Sequence, residues 1–519
     1  MLHRTALFLM TVLVAGACGG TDYLPVNTID QSRVLYITLE TPEGAAPEES
    51  PAYNTSCDNP ATSVEDSNVA EFLEGAIGFA IEEEFGVVHL CEGTYETASL
   101  VEFGNFGSIT IRGDGVDATV IEGAGNHPLL LMFPTCLEDT DCPSQMNTLT
   151  LQDIALTKGF GTELSAGEFG DWSLGGAVTA PMIRTIRASF TQNEGVCGGA
   201  VALYGSTLRL LTDETIAEDV LSDEPTEAEI LEYFSRWDTT ERSTFQESTF
   251  EGNSAVLGGA IAGIALGGGG EAIISCLNPG PIDIVDSNFT ENSASSGDAD
   301  SPTGLGGGAI VTFDARFALI LEGGGEYLDS WLDTVESRDP WLRITRSEFS
   351  ANEANGPGGA VFAVGVTEIR SSTFTENRAI GAESEGGAIA SAGSMRIFSS
   401  NFSKNVASSG GALALQGLFG GEDPFDGADS LYLYRTVFNK NVAVVRGGAI
   451  SGWDREGIAR GNRFTSNRAP LGSAVAVAVP ECTRMITRGL ANDWRGNTFR
   501  MNRGGRFPVE CYAVAPAPG

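Results

Sequence analysis

Basic residues and histidines are scarce in this sequence of 519 residues. Only 30 Lys and Arg stand against 69 Asp and Glu, so the formal net charge is −39. A chain with this charge repels nucleic acid, which excludes DNA or RNA as the main partner. After the first eighteen residues, His89 and His127 are the only histidines, which leaves few candidates for acid–base catalysis by histidine.

The apolar stretch at the N-terminus is too short to span a membrane as a helix. Residues 6–15 are broken only by Thr11, whereas a transmembrane helix needs roughly 20 apolar residues. The stretch follows Arg4 and ends at Ala15-Gly16-Ala17-Cys18, which is typical of an export signal. The ending resembles the lipobox of bacterial lipoproteins. This resemblance implies a lipoprotein signal peptide over 1–18 and acylation of Cys18; without acylation, we expect a secreted protein.

No two cysteines have the CxxC spacing that is typical of a zinc site. Setting Cys18 aside leaves eight of the nine cysteines, an even number that suits disulfides in an oxidising compartment. The sequence leaves their pairing open. The candidate disulfides join Cys136 with Cys142, Cys482 with Cys511, Cys57 with Cys91, and Cys197 with Cys276.

Two short motifs alternate through most of the chain. The first is Gly-Gly-Ala followed by Ile, Val or Leu, from Gly175 to Gly447, with a Gly-Ser-Ala-Val variant at Gly472. The second is Phe-x-x-Asn. Its nine copies begin and end at Phe190 and Asn193, Phe250 and Asn253, Phe289 and Asn292, Phe349 and Asn352, Phe374 and Asn377, Phe402 and Asn405, Phe438 and Asn441, Phe464 and Asn467, and Phe499 and Asn502. One uninterrupted unit has about 23 to 28 residues, the length of one coil of a solenoid.

Each unit also carries apolar residues at alternate positions, the pattern of a β-strand. Met395-Arg396-Ile397, before Phe402, is an example. Coils of short strands bury an inner face only by stacking, with neighbouring strands about 4.8 Å apart. Equivalent residues then lie above one another, so the sequence predicts an internal column of Phe rings and a ladder of Asn amides. Both motifs are therefore interpreted as structural rather than catalytic.

The alternating motifs resemble the polymorphic outer membrane protein repeats of bacterial surface proteins. The segment before them, with Val87-Val88-His89-Leu90 and Ile109-Thr110-Ile111-Arg112, resembles the first coils of pectate-lyase-like β-helices. Together the two resemblances cover about residues 63 to 502. They imply an all-β fold with a single right-handed parallel β-helix. The repeat family is associated with surface display and adhesion, so the resemblance also implies a location at the cell outer membrane or cell surface.

The segments at the ends of the repeat suggest a tether and a cap. Residues 19–62 are rich in Pro, Glu, Thr and Ala, which predicts a flexible tether. Apolar residues at helical spacing predict a helix over 67–84 that covers the open edge of the first coil. The β-helix domain is predicted over 63–505, and 506–519 form a C-terminal tail.

Several coils are enlarged between the Gly-Gly and Phe motifs. Because all the enlargements leave the same part of the coil, they are expected to gather on one side of the rod, where they either bind a partner or shield apolar surface. The insertions lie near 205–244, 267–283, 314–340, 417–430 and 478–494.

Motifs for catalysis and metal binding are weak. The signatures of polysaccharide lyases and hydrolases are absent, and no phosphate-binding loop occurs. No cofactor is predicted, although a few pairs and triplets of acidic residues could contribute oxygens to Ca²⁺. These are Asp139 with Asp141, Asp298 with Asp300, and Asp423 with Asp426 and Asp429.

The sequence therefore favours a monomeric, exported lipoprotein that is held at the outer membrane and binds a carbohydrate or a cell-surface protein without catalysis. The alternative is a polysaccharide lyase or glycoside hydrolase whose site lies beside the inserted loops.

Overall fold

The computed structural model describes most of the repeat region. The described residues are 34–38, 57, 62–63, 69–83, 85–104, 107–133, 147–165, 171–204, 242–263, 265–266, 280–295, 306–313, 340–381, 384–415, 431–453, 458–478, 496–506 and 509–512.

These residues form an all-β solenoid of stacked parallel sheets, with one α-helix, Val69–Glu82. Sheet 1 has thirteen strands: Val34–Thr38, Thr62–Ser63, Val87–Leu90, Ile109–Arg112, Thr148–Gln152, Met182–Ile186, Ser243–Gln246, Ile282–Val285, Leu342–Thr345, Thr367–Arg370, Met395–Phe398, Leu431–Tyr434 and Ile458–Arg460. Sheet 2 has twelve: Gly93–Thr97, Thr119–Gly123, Ala155–Thr157, Ser189–Thr191, Thr249–Glu251, Asn288–Thr290, Glu348–Ser350, Thr373–Thr375, Asn401–Ser403, Val437–Asn439, Arg463–Thr465 and Thr498–Arg500.

The Gly-Gly-Ala motifs lead into a third large sheet. Sheet 3 has twelve strands: Val101–Gly104, Leu130–Phe133, Val178–Ala180, Val201–Leu203, Ile261–Gly263, Ile310–Phe313, Val361–Val364, Ile389–Ala392, Leu413–Leu415, Ile450–Trp453, Val475–Ala478 and Val509–Tyr512. Sheet 4 has nine short strands: Glu194–Cys197, Ser254–Leu257, Ser293–Ala294, Glu353–Ala354, Arg378–Ala379, Val406–Ser409, Val442–Arg446, Arg468–Ala469 and Arg503–Gly504. A small antiparallel sheet joins Glu163–Ser165, Asp171–Ser173 and Ala265–Leu266.

One coil passes through the four large sheets in the order 1, 2, 4 and 3. Strand Met182–Ile186 is followed by one strand in each of sheets 2, 4 and 3, and the chain then re-enters sheet 1 at Ser243–Gln246. That strand pairs in parallel with Met182–Ile186. Each circuit of the chain therefore ends next to the strand at which it began. As a result, each motif lies directly beside the same motif of the neighbouring coil.

The nine phenylalanines of the Phe-x-x-Asn motifs form a continuous stack inside sheet 2. Neighbouring ring centroids lie 4.6–5.2 Å apart and the ring planes differ by no more than 9°. Eight of the rings are fully buried, and Phe499, in the last coil, is partly buried. The stack places one large apolar side chain at the same core position in each coil.

The asparagines form the ladder at the turn between sheets 2 and 4. Asn352 Nδ2 donates to Phe289 O at 2.9 Å and to Asn377 Oδ1 at 3.0 Å, and the Asn352 backbone N–H donates to the same Oδ1 at 3.1 Å. The same bonds recur in neighbouring coils. Each amide therefore satisfies backbone groups that a buried turn would otherwise leave unpaired.

The Gly-Gly pair is required where sheet 4 passes into sheet 3. Gly358 has φ +73°, and a Cβ atom there would lie 2.1 Å from Val361 O. A Cβ at Gly359 would lie 2.1 Å from Gly387 O of the next coil. The first glycine therefore provides a left-handed turn, and the second allows two coils to approach closely.

The two ends of the solenoid differ from the predicted boundaries. Strand Val34–Thr38 lies inside the predicted tether 19–62, yet it pairs with Val87–Leu90 and Ile37 is fully buried. The prediction of a flexible tether is wrong for these residues, because their apolar side chains extend the core. At the other end, Val509–Tyr512 pairs with Val475–Ala478, so sheet 3 continues into the predicted tail 506–519.

Helix Val69–Glu82 packs against the first coils. It contacts strands Val87–Leu90, Gly93–Thr97 and Val101–Gly104, and Leu73 and Ile77 are buried in the common core. The helix is two residues shorter at each end than the predicted range 67–84. Within the described part of the chain, no helix is long and apolar enough to cross a membrane.

Candidate functional site

The insertions attach at one corner of the solenoid. At the first four insertions the chain leaves sheet 3 before the insertion and enters sheet 1 after it, as between Val201–Leu203 and Ser243–Gln246. The next described strand after the fifth insertion is Thr498–Arg500 of sheet 2. Most residues of the predicted insertions lie outside the described residues. Their attachment nevertheless makes the outer face of sheet 1 the surface on which a binding site is expected.

Charged side chains are concentrated on this face in its central coils. Arg242 Nε donates to Asp283 Oδ1 at 2.8 Å, and Arg242 Nη2 donates to the carbonyl oxygens of Ile282 and Trp341 at 3.1 Å. Arg343 Nη1 donates to the other oxygen of Asp283 at 3.4 Å. Asp283 is thus held between two arginines from different coils, and all three side chains are largely shielded from solvent.

The next coils continue the charged cluster. Arg370 Nε and Nη2 donate to the two oxygens of Glu368 at 2.7 and 3.1 Å, and Arg343 Nε lies 4.0 Å from Glu368. The hydrogen bond to Glu368 raises the pKa of Arg370. Both Asp283 and Glu368 are therefore already engaged by arginines of the same face.

Aromatic side chains extend this face toward the C-terminus. The Arg370 guanidinium lies 4.5 Å from the centroid of the Phe398 ring, and Phe398 stacks on Tyr434 with centroids 5.6 Å apart. Tyr432 also points outward, two residues before Tyr434 on the same strand, and it pairs with Arg396 of the preceding strand of sheet 1. These aromatic side chains are half-buried. We call Arg370, Phe398, Tyr432 and Tyr434 the aromatic strip.

The aromatic strip was missed by the sequence analysis, which took alternation only as evidence for a strand. In Leu431-Tyr432-Leu433-Tyr434, the leucines point inward and the tyrosines outward. The available signal was an aromatic residue at the outward position of consecutive coils, as at Phe398 and Tyr434. Such a position faces solvent and does not contribute to the core, so an aromatic side chain there indicates a contact surface.

A second polar cluster surrounds His89 in the first coils. His89 Nε2 lies 2.9 Å from Asp114 Oδ1, and Arg112 Nε donates to His89 Nδ1 at 2.8 Å. The backbone N–H of Glu92 donates to Asp114 Oδ2 at 2.9 Å. Burial and then the positive charge of Arg112 lower the pKa of His89, and Asp114 opposes this shift. The imidazole is therefore neutral at pH 7.

This cluster has the composition of a metal site but not the chemistry of one. Donor atoms of Cys57, His89, Cys91 and Asp114 all lie within 4.8 Å of one another. However, Cys57 and Cys91 form a disulfide and offer no thiolate. Because Arg112 donates to Nδ1, the proton of neutral His89 is on Nε2, where it bonds to Asp114. With no free imidazole nitrogen, the group serves neither as a metal ligand nor as a general base.

The other candidates from the sequence fall into three groups. His127 has both ring nitrogens within 3.0 Å of the carbonyl oxygens of Pro128 and Thr97, which indicates a structural position. Cys197 is disulfide-bonded, whereas its candidate partner Cys276 lies outside the described residues. Several further candidates also lie outside them, namely Cys18, Cys136, Cys142, Cys482, Asp139, Asp141, Asp298, Asp300, Asp423, Asp426 and Asp429.

No family model matches this chain, and neither a curated protein nor a solved structure is significantly similar to it. The fold alone therefore defines the class of protein, an all-β solenoid of stacked parallel sheets.

Proposed function

We propose that this chain is an exported bacterial lipoprotein whose right-handed parallel β-helix presents a non-catalytic glycan-binding face at the cell surface. In this proposal Cys18 carries the lipid, and helix Val69–Glu82 caps the first coil. The alternating Gly-Gly-Ala and Phe-x-x-Asn motifs support membership of the polymorphic outer membrane protein repeat family. The parallel circuits of the chain support right-handedness, because parallel crossover connections are right-handed in about 98% of cases.

The observation that carries the binding role is the aromatic strip on the outer face of sheet 1, the sheet that the chain enters after most of the insertions. Sugar rings have apolar faces and polar edges, so they suit aromatic side chains that have polar groups beside them. Phe398 is stacked between the Arg370 guanidinium and the Tyr434 ring, so the strip combines apolar ring edges with the hydrogen-bond donors of Arg370. Asp283 and Glu368, near the aromatic strip, are already bonded to arginines. A glycoside hydrolase instead needs two carboxyl groups that are free to act on the glycosidic bond.

A glycan array probed with the mature domain, residues 19–519, tests this proposal. We expect binding to a defined set of glycans, and the double variant Tyr432→Ala/Tyr434→Ala should bind them about tenfold more weakly or worse. Phe79→Ala is the matched control, because Phe79 is an exposed aromatic on the helix and its loss should leave binding unchanged. Equal binding by the double variant and the wild type would contradict the proposed face.

Catalysis is tested on the same glycans. Reducing-end and unsaturated-product assays with the bound glycans should show no turnover. Product formation would instead support the alternative of a lyase or hydrolase. The lipid is tested separately by metabolic labelling with radioactive palmitate, which should label the wild type and not Cys18→Ala.

A further inference from the structure

The outer face of sheet 2 sorts its charges by sign along the solenoid. In each of the eight coils from Phe250 to Phe499, three positions face outward: the residue before the motif Phe, the residue after it, and the following turn residue. One of these three residues is charged in every coil. In chain order these charges are Glu251, Glu291, Glu348, Glu376, Lys404, Lys440, Arg463 and Arg500. All eight are exposed. We call this surface, four acidic coils followed by four basic coils, the graded face.

Most charges of the graded face have no partner of opposite charge among the residues that the structure describes. Lys404 Nζ donates to Glu376 Oε1 at 2.6 Å, where the acidic and basic halves meet. Arg463 Nε donates to Thr465 Oγ1 at 3.3 Å. No ion pair within the described residues includes any of the other five charges, which are Glu251, Glu291, Glu348, Lys440 and Arg500.

Sheet 1 shows what neutralised charges look like in the same solenoid. There Arg346 donates to both oxygens of Asp286 at 2.7 and 2.8 Å, and Arg242 and Arg343 share Asp283. The stacked coils thus allow ion pairs between neighbours of opposite sign. On the graded face, charges in neighbouring coils mostly have the same sign and cannot form ion pairs with one another. They therefore remain able to pair with opposite charges on another molecule.

The order of the charges is self-complementary. Turning a second copy end for end, about an axis parallel to the strands, brings the first graded coil opposite the last. Glu251 then faces Arg500, and Glu376 faces Lys404. Coils repeat at about 4.8 Å, so Glu291 comes within about one coil of Lys440 at the same position across the face. Glu348 has the same relation to Arg463. Such a two-fold arrangement makes every contact twice.

We propose that the graded face binds a second copy of this chain in an antiparallel pair. The outward residues between the charges are mostly Thr, Ser and Asn, such as Thr290, Ser350 and Thr375. These side chains are short, so the long charged side chains of one copy reach those of the other. A monomer was expected from the sequence, in which the face that each charge occupies cannot be read.

The geometry predicts a weak interaction. Eight coils span roughly 34 Å and a three-residue strand roughly 10 Å, so each copy contributes about 340 Å². Stable interfaces bury about 800 Å² on each partner. The net charge of −39 on each copy also opposes association. Pairing should therefore be salt-sensitive for single molecules and become effective where many copies are displayed together.

If the proposed lipid anchor is present, an antiparallel pair places the two anchors at opposite ends. The helices Val69–Glu82 of the two copies lie at opposite ends of the pair, so the anchors also leave from opposite ends. This arrangement suits copies on two cells that face each other. The graded face would then supply adhesion between like cells, while the aromatic strip on sheet 1 stays free for glycan.

The test uses two charge-reversal variants of the mature domain. Glu251→Arg/Glu348→Arg makes the graded face predominantly basic, and Arg463→Glu/Arg500→Glu makes it acidic. In sedimentation velocity at about 0.1 M salt, we expect weak association of the wild type and monomers for each variant alone. An equimolar mixture of the two variants should restore association to about the Kd of the wild type, because each reversed charge then faces a charge of opposite sign. At about 1 M salt, where the Debye length is about 3 Å, the association should disappear.

Controls and outcomes separate this inference from the proposed function. The matched control Glu82→Arg/Asp117→Arg makes the same change in net charge as Glu251→Arg/Glu348→Arg, on exposed residues away from the graded face, and should associate like the wild type. A mixture that stays monomeric would overturn the inference, as would fluorescence transfer showing the two N-terminal helices side by side. Glycan binding uses sheet 1 and should persist in both variants, so failure of one proposal leaves the other measurable.

With the lipid attached, vesicles carrying one variant should aggregate only with vesicles carrying the other. Aggregation of either population with itself, or with bare anionic vesicles, would also overturn the inference.

Discussion

The first coils and the repeat coils solve the same packing problem differently. From Phe190 to Asn502, each coil adds the same ring and the same amide to two continuous ladders. In the coils before Phe190, the inner column continues in register with Leu156, Ile121 and Tyr95. There the core is held by contacts that each occur once, such as the disulfide between Cys57 and Cys91.

This difference shows what a repeat provides. Within the ladder, the donor and acceptor that a buried turn needs are supplied by the neighbouring coil, so one residue type serves at every level. Asn193 begins the ladder, and its Oδ1 accepts from the backbone N–H of Gly159, which has no side chain of its own to offer. Before that point each buried polar group needs an individual partner.

The largest expected effect comes from the middle of the Phe stack. Phe349→Ala removes a ring that lies 4.6 Å from Phe289 and 4.7 Å from Phe374, and should cost about 3–5 kcal/mol in the free energy of unfolding. Phe499→Ala, at the partly exposed end of the stack, should cost only about 1–2 kcal/mol. Urea unfolding followed by circular dichroism measures both. Equal losses would show that the stack does not act as a continuous core.

An intermediate effect is expected in the first coils. The buried Tyr95 hydroxyl donates to Ile37 O at 3.1 Å and to Cys91 O at 3.0 Å, and burial raises its pKa. Tyr95→Phe should cost about 1–3 kcal/mol, because a buried acceptor loses its donor. Hydrogen exchange should accelerate most in strand Val34–Thr38. Tyr204→Phe, whose hydroxyl donates to Met132 O, is the control and should leave exchange in that strand unchanged.

The smallest effect is the pH dependence from His89. Burial and Arg112 lower its folded-state pKa below the value of about 6.5 in the unfolded chain. The unfolded chain therefore binds the proton first as pH falls. The stabilising contribution is complete above about pH 6.5 and is lost progressively below it, by at most about 1.4 kcal/mol for each pH unit. His89→Gln should reduce the loss of stability between pH 7.5 and 5.5, measured by urea unfolding. An unchanged pH dependence would contradict the neutral His89.

The sequence predicted the stacked architecture because its signal is repeated nine times. It also included Cys57 with Cys91 among the candidate disulfides, and the structure joins them. It missed a second ladder, at the turn from sheet 1 to sheet 2, in which the Ser248 N–H donates to Ser287 Oγ and the Ser287 N–H donates to Ser347 Oγ, both at 3.1 Å. Ser occupies this position through Ser400, and Thr436, Asn462 and Asn497 follow in the later coils, so no single residue type marks the whole ladder.

The sequence by itself determined the coil, because period-2 apolar alternation, a glycine pair at the tightest turn and a recurring Phe-x-x-Asn leave few other ways to bury the chain. Tertiary structure decided which surface residues become neighbours. Tyr432 and Arg396 lie 36 positions apart in sequence yet adjacent in sheet 1, and Glu376 reaches Lys404 in the following coil. The lengths of the insertions determine how far apart two such residues lie in the sequence, whereas the strand register determines how far apart they lie in space. The face that a charge occupies is therefore readable only after the coils are stacked.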